Sequence, residues 1–212
     1  MRSLPRLQAI VDVEAAEREG LAPLAVARAF LDGGARLLQI RAKQFPSGPF
    51  LELCDAVMGL ARTHDARVIV NDRVDLARLS GADGVHVGQD DLPVSAARQT
   101  LGPAAIVGCS THSVEQIDAA LQTPLSYLAV GPVFGTRTKD TGYEAVGVDL
   151  VRAAVARAGA VPVVAIGGIT LENAPSVIDA GASCVAVISD LLTGGDPVAR
   201  VRAFVAVLGG RV

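Results

Sequence analysis

Two rhythms of apolar positions alternate along the chain. Short β-branched runs ending in Gly, Asp, Asn or Ser predict strands near residues 6–12, 37–43, 67–72, 84–88, 105–110, 127–132, 162–168 and 184–189. Between them, apolar residues recur at three- and four-residue spacing. These predict helices near 23–34, 49–65, 73–80, 93–101, 113–122, 149–158, 171–180 and 196–208. Val198, Val201, Phe204, Val205 and Leu208 form one such stripe, and Leu150, Val151, Ala154, Val155 and Ala158 another. The last strand, Cys184 to Ile188, is too short for a helix and follows a Gly-Ala turn. Pro23, Pro49 and Pro93 stand where helices begin, because a first-turn N–H has no helical partner to lose. Gly20, Gly81, Gly102, Gly159 and Gly181 fall at helix ends or in loops.

Eight strands alternating with eight helices over 212 residues give about 26 residues per unit, the size of one βα unit in a (β/α)8 barrel. An open doubly wound sheet shares that alternation, but no Gly-x-Gly-x-x-Gly follows the first strand. The expected fold is α/β, a single (β/α)8 TIM barrel. Residues 1–212 form one catalytic domain in this reading, with no Gly/Ser- or Pro-rich linker.

Composition narrows the function classes. Half the residues are apolar and 19% are charged, which excludes wholesale disorder. A chain this long buries roughly 70% of its unfolded surface and needs no covalent staple. Lys and Arg total 19 against 22 Asp and Glu, a net charge of −3, so the basic excess of nucleic-acid binders is missing. Any phosphate site must be built locally. Cys54, Cys109 and Cys184 lie far apart without Cys-x-x-Cys spacing, which argues against a disulfide framework or a thiolate zinc site. Cys109 and Cys184 sit in apolar runs and read as buried, inert thiols. No run of about 18 apolar residues predicts a membrane span. The first ten residues lack an apolar core and lead into Asp12, Glu14, Glu17 and Glu19, so no signal peptide is expected, and the cytoplasm is the expected location.

In this fold, chemistry belongs at the C-terminal strand ends and the loops after them. The second strand ends Gln39-Ile40-Arg41-Ala42-Lys43. Alternation puts Gln39, Arg41 and Lys43 on one face, into the barrel mouth, and Leu38, Ile40 and Ala42 on the helix side. Arg grips phosphate bidentately and Lys adds a compact charge, so an anion site is expected here. The competing reading is a core charge network neutralised by carboxylates. Asn71 and Asp72 end the third strand, and Asp91 follows the fourth. Two carboxylates with water or phosphate completing the shell suit Mg²⁺. Alternatively, either Asp caps the next helix.

Further along, Ser113 and Gln116 form a capping box, which leaves Ser110 as the substrate candidate at the fifth strand end. His86 reads as a satisfied structural histidine facing the lumen, and the three dispersed histidines form no zinc site. The loop at 133–147 carries hydroxyls, cations and glycines, the ingredients of an anion-binding lid or of a solvated loop. Gly167-Gly168 after the seventh strand and Ile188-Ser189 at the eighth fall where this fold often holds phosphate on backbone N–H groups. A tight turn also explains the glycine pair. The residues thus describe two anionic sites in one mouth, one metal-assisted for a diphosphate and one for a monophosphate.

Gln39 to Lys43, Val70-Asn71-Asp72, Gly84 to Asp91, Gly108 to His112, Gly131-Pro132-Val133-Phe134 with Thr136, Thr138 and Lys139, and Ile166 to Ile169 resemble the thiamine phosphate synthases. The matches occur in order from about residue 37 to 190. The resemblance implies a cytoplasmic transferase that joins a hydroxymethylpyrimidine diphosphate to a thiazole phosphate, carboxylated or not. Pyrophosphate leaves, and a pyrimidine carbocation is captured by the thiazole nitrogen. It implies Gln39, Ile40, Arg41, Ala42, Lys43, Asn71, Ser110 and Lys139 at the pyrimidine diphosphate, with Arg41, Lys43, Ser110 and Lys139 catalytic. Thr136, Arg137, Thr138, Gly168, Ile188 and Ser189 would hold the thiazole phosphate, and Asp72 and Asp91 one Mg²⁺ per subunit. The implied partners are phosphorylated small molecules, with no nucleic acid and no membrane, and a homo-oligomer is left open. Ala42 stands where the family usually has Glu, and Gly135 where Pro is common. Since Ala42 should face away from the lumen, its effect is expected to be mild.

Two other readings stay open. A related thiazole tautomerase has a similar barrel but typically lacks the two aspartates and carries His at the place of Pro132. A non-catalytic thiazole-phosphate binding protein is the third.

Overall fold

A computed structural model describes residues 4–135 and 144–209. Eight parallel strands pair in chain order and close into a barrel: β1 (Leu7–Asp12), β2 (Leu37–Arg41), β3 (Arg67–Asn71), β4 (Gly84–Val87), β5 (Ile106–Thr111), β6 (Tyr127–Val130), β7 (Val163–Ile166) and β8 (Cys184–Val187), with β8 returning to β1. The fold is the expected (β/α)8 TIM barrel. Around it lie α1 (Val13–Arg18), α2 (Pro23–Asp32), α3 (Ser47–Thr63), α4 (Val74–Ser80), α5 (Val94–Leu101), α6 (Val114–Leu121), α7 (Gly147–Ala158), α8 (Ala174–Asp179) and α9 (Pro197–Val207), with a 3₁₀ segment at Ser189–Gly195. Among the described residues, no helix is long and apolar enough to cross a membrane.

Strands covered on both faces read as apolar runs, and the two faces form separate cores. Leu38, Ile40, Val68, Val70, Val85 and Val107 pack outward against the helices. Ile10, Leu37, Ile69, Ile106, Tyr127, Val164 and Cys184 fill the barrel interior. Gly108 is required by that interior, since a Cβ there would lie 2.0 Å from Tyr127 Cζ.

The first and third helices differ from the expectation. The six-residue α1 was not expected. It starts directly after β1 because Asp12 caps it, accepting from the Ala15 N–H at 2.8 Å. Helix α3 begins at Ser47 rather than Pro49, with Pro46 in the capping position.

Candidate active site

The rim after β1 to β4 gathers the charges. Asp12 and Arg41 are register partners at the last rung of the β1–β2 ladder. One Asp12 oxygen caps α1 and the other accepts from an Arg41 terminal nitrogen. Their side chains are 2% and 11% exposed, so this is a buried pair. Glu14 Oε2 lies 4.0 Å from the same guanidinium. The charge network with neutralising carboxylates is thus present around Arg41. Arg41 Nε and Glu14 Oε2 are buried with no hydrogen-bond partner among the described residues.

Lys43 corrects the strand-face expectation. β2 ends at Arg41, so Lys43 rides on the loop rather than on the Gln39–Arg41 face. The reason is a change of partner: Glu14 Oε1 accepts the N–H groups of Lys43 at 2.7 Å and Gln44 at 3.1 Å where the ladder has stopped. Lys43 Nζ reaches across to ion-pair with Asp72. Gln39 and Asn71 are buried, each two residues beyond an interior side chain of its strand, Leu37 and Ile69. The Ile40 side chain is fully buried in the outer core, so a contact from this position to a ligand in the mouth would come from its backbone. Ala42 packs against the same outer core and away from the lumen.

Neither aspartate caps a helix. Asp72 adopts a left-handed backbone, with φ of 61°, and its N–H extends the ladder to the His86 carbonyl at 2.7 Å. Arg73 occupies the α4 capping position without a side-chain bond. Asp91 accepts from the Gly88 N–H at 2.7 Å, which closes the loop after β4. Burial pushes the Asp91 carboxyl above the usual carboxylate range, and its closeness to Asp72 adds to the rise. The Gly88 N–H and the Lys43 charge offset it only in part. A carboxyl raised in this way beside a second carboxylate is a pair that a shared cation would relieve.

Beneath the rim runs a polar chain. His86 Nε2 lies 2.8 Å from Ser110 Oγ, and Nδ1 lies 2.8 Å from the Tyr127 hydroxyl. The imidazole also stacks on the Tyr127 ring at 5.6 Å. Gln8 donates to the Tyr127 hydroxyl at 3.5 Å, and Gln89 donates to the Ser110 carbonyl at 2.6 Å. Full burial pushes the Tyr127 phenol above its ordinary range, so it stays protonated. A neutral imidazole has one donor and one acceptor nitrogen, so the tautomer of His86 sets which of Tyr127 and Ser110 donates to the ring.

Across the mouth lies a cavity of about 270 Å³, lined by Ser110, His112, Gly167, Gly168, Ile188 and Ser189 among others. Gly167 and Gly168 have φ of 99° and 63°. A Cβ on Gly168 would lie 2.6 Å from the Gly135 carbonyl oxygen, and one on Gly167 would lie 2.5 Å from Pro132. The glycines are therefore fixed by loop-on-loop packing as well as by any ligand. Asp190 accepts from the Leu171 N–H and from Arg200, tying the loops after β7 and β8 together. The Ser113–Gln116 box is half formed. Ser113 accepts from the Gln116 N–H, but Gln116 Oε1 takes the His112 N–H instead. Cys54, Cys109 and Cys184 are buried and free. Thr136, Arg137, Thr138 and Lys139 lie outside the described residues, as does part of the 133–147 loop.

Asp12, Glu14, Gln8 and Tyr127 are site components that the sequence reading missed. An Asp at a strand end with an N-capping position behind it was the available signal for Asp12.

Comparison with known proteins points one way. Residues 7–191 match the family model TMP-TENI, thiamine monophosphate synthase. The thiamine-phosphate synthase of Anaeromyxobacter dehalogenans (strain 2CP-C) is 48% identical over 178 residues, covering 84% of this chain and 79% of that one. That of Koribacter versatilis (strain Ellin345) is 46% identical over 209 residues, covering 97% and 96%. The solved thiamine phosphate pyrophosphorylase of Pyrococcus furiosus superposes with a TM-score of 0.87 at 31% identity, over 96% and 95% of the two chains.

Proposed function

Because the chain belongs to the thiamine monophosphate synthase family, we propose that its barrel mouth joins a hydroxymethylpyrimidine diphosphate to a thiazole phosphate, with loss of pyrophosphate, to give thiamine phosphate. A carboxylated thiazole would also release CO₂. One observation carries the assignment of residues. The rim sets Arg41, Lys43 and the Asp72–Asp91 pair on one side and the glycine-lined cavity on the other, with Ser110 between them.

In this reading Gln39, Arg41, Lys43 and Asn71 hold the pyrimidine diphosphate. Arg41 Nε offers an unpaired donor, and the guanidinium suits a phosphate edge. Asp72 and Asp91 hold Mg²⁺. Among the described residues no third His, Cys, Asp or Glu joins them, a donor set that fits a cation whose other ligands are phosphate oxygens and water. The bound ion would neutralise charge on the departing pyrophosphate. Arg41 and Lys43 stabilise the same charge as the carbon–oxygen bond breaks, an effect that low-dielectric surroundings strengthen. Ser110, oriented by His86, donates to the pyrimidine or to the leaving group, and Lys139 shares that duty. Gly168, Ile188 and Ser189, with Thr136, Arg137 and Thr138, hold the thiazole phosphate. The thiazole nitrogen attacks the carbocation, so the protein supplies no nucleophile. The whole chain acts as one catalytic unit, in the cytoplasm, consistent with its free thiols.

The test is to compare Asp72→Ala and Asp91→Ala with the wild type. Turnover should fall at least a hundredfold, while thiazole-phosphate affinity by calorimetry changes less than twofold. Wild-type turnover in both variants across a magnesium titration would overturn the metal assignment.

A further inference from the structure

Glu14 stands on α1, and each of its two carboxylate oxygens has its own role. Its Oε1 accepts the backbone N–H groups of Lys43 and Gln44, the first residues after the ladder lets go of β2. Its Oε2 is buried without a hydrogen-bond partner among the described residues and lies 4.0 Å from the Arg41 guanidinium. The cap that fixes α1 comes from Asp12, the same side chain that pairs with Arg41. The Lys43 side chain is 45% exposed, so little else restrains it besides its ion pair with Asp72. A long, exposed lysine loses several rotamers on binding, and pre-placing its backbone lowers that loss.

We infer that Glu14 is a positioning residue for the diphosphate: it anchors the Lys43 segment so that the ammonium and the Arg41 guanidinium face the same ligand. Burial pushes the Glu14 carboxyl up, but its own N–H, those of Gln44 and Lys43, and the charge of Arg41 outweigh this and hold it below the usual range. It is therefore an anion at neutral pH, able to accept both N–H groups. The inference rests on the assignment of Lys43 and Arg41 to the diphosphate.

Inorganic pyrophosphate with Mg²⁺ is the probe, titrated by calorimetry into the full chain as wild type, Glu14→Ala, Glu14→Gln, Lys43→Ala and the Glu14→Ala/Lys43→Ala double variant. Lys43→Ala should weaken binding about tenfold and Glu14→Ala about fivefold. Glu14→Gln should stay within about twofold of wild type, since an amide oxygen still accepts both N–H groups. The double variant should bind no worse than Lys43→Ala alone, because a tether has no effect once its cargo is gone. Thiazole-phosphate affinity should not move in any of them. If Lys43→Ala is weakened and Glu14→Ala is not, the role of Glu14 is overturned while the diphosphate site stands. If Lys43→Ala binds like wild type, the site assignment itself fails. Additive losses in the double variant, or equal losses of pyrophosphate and thiazole phosphate in Glu14→Ala, overturn the positioning role in favour of a general structural one.

Discussion

Removing Asp12 should unsettle both the barrel rim and the site. Its side chain is 2% exposed, holds Arg41 with one oxygen and caps α1 with the other. Breaking a buried ion pair from one side costs about 3–5 kcal/mol, because the remaining charge is stranded. Loss of an N-cap adds about 1 kcal/mol. Glu14, 4.0 Å from the same guanidinium, takes over part of the neutralisation and favours the lower end. For Asp12→Ala the sum is about 4 kcal/mol, or roughly 10 °C in melting temperature for a domain of this size. Asp12→Asn keeps an oxygen for the cap and should lose about 1 kcal/mol less. The decisive variant is Asp12→Asn/Arg41→Met, which retains the cap and removes both charges. It should return to within about 1 kcal/mol of wild type, since an apolar replacement of a buried pair is often neutral. Urea unfolding followed by circular dichroism measures all three. A double variant as unstable as Asp12→Asn would refute the idea that the stranded Arg41 charge is what destabilises.

Three further outcomes are expected. Burial pushes the Cys54 thiol up to about 12 and raises Cys109 and Cys184 as well, so none should react with a disulfide reagent at pH 8 in the native protein, and all should react in denaturant; one fast-reacting native thiol among the three would contradict this. The Glu14 carboxyl is held below its ordinary 4.5, so the folded state favours its ionised form. Its contribution is complete above that value and is lost as pH falls below it through the folded pKa; wild type should therefore lose stability more steeply than Glu14→Gln below pH 4.5, and parallel acid profiles would contradict the assignment. Gly168→Val places a Cβ 2.6 Å from the Gly135 carbonyl oxygen on a left-handed backbone, so it should lower the melting temperature as well as thiazole-phosphate affinity; weakened binding with unchanged stability would show that the glycine serves the ligand alone.

Much of the fold was legible because parallel strands buried on both faces leave apolar runs, and because alternation sorts their faces. Leu38 and Ile40 outward, and Gln39 and Arg41 inward, could be read from five residues. What could not be read depended on partners distant in sequence. Lys43 leaves the strand because a carboxylate on another element takes its N–H. Asp12 and Glu14 resemble solvated charges until register sets Asp12 beside Arg41. Asp72 and Asp91 both stand near the starts of helices, yet a left-handed turn at one and a loop-closing bond at the other direct them toward each other. The need for Gly108 comes from the Tyr127 ring on the neighbouring strand, which no local pattern displays.

The most direct measurement is of products. The purified chain is given the pyrimidine diphosphate and the thiazole phosphate, with and without Mg²⁺, and thiamine phosphate and pyrophosphate are quantified together. Thiamine phosphate and pyrophosphate in equal amounts, dependent on both substrates and on Mg²⁺, are predicted. Bound thiazole phosphate with no thiamine phosphate at any magnesium concentration would contradict the proposed reaction.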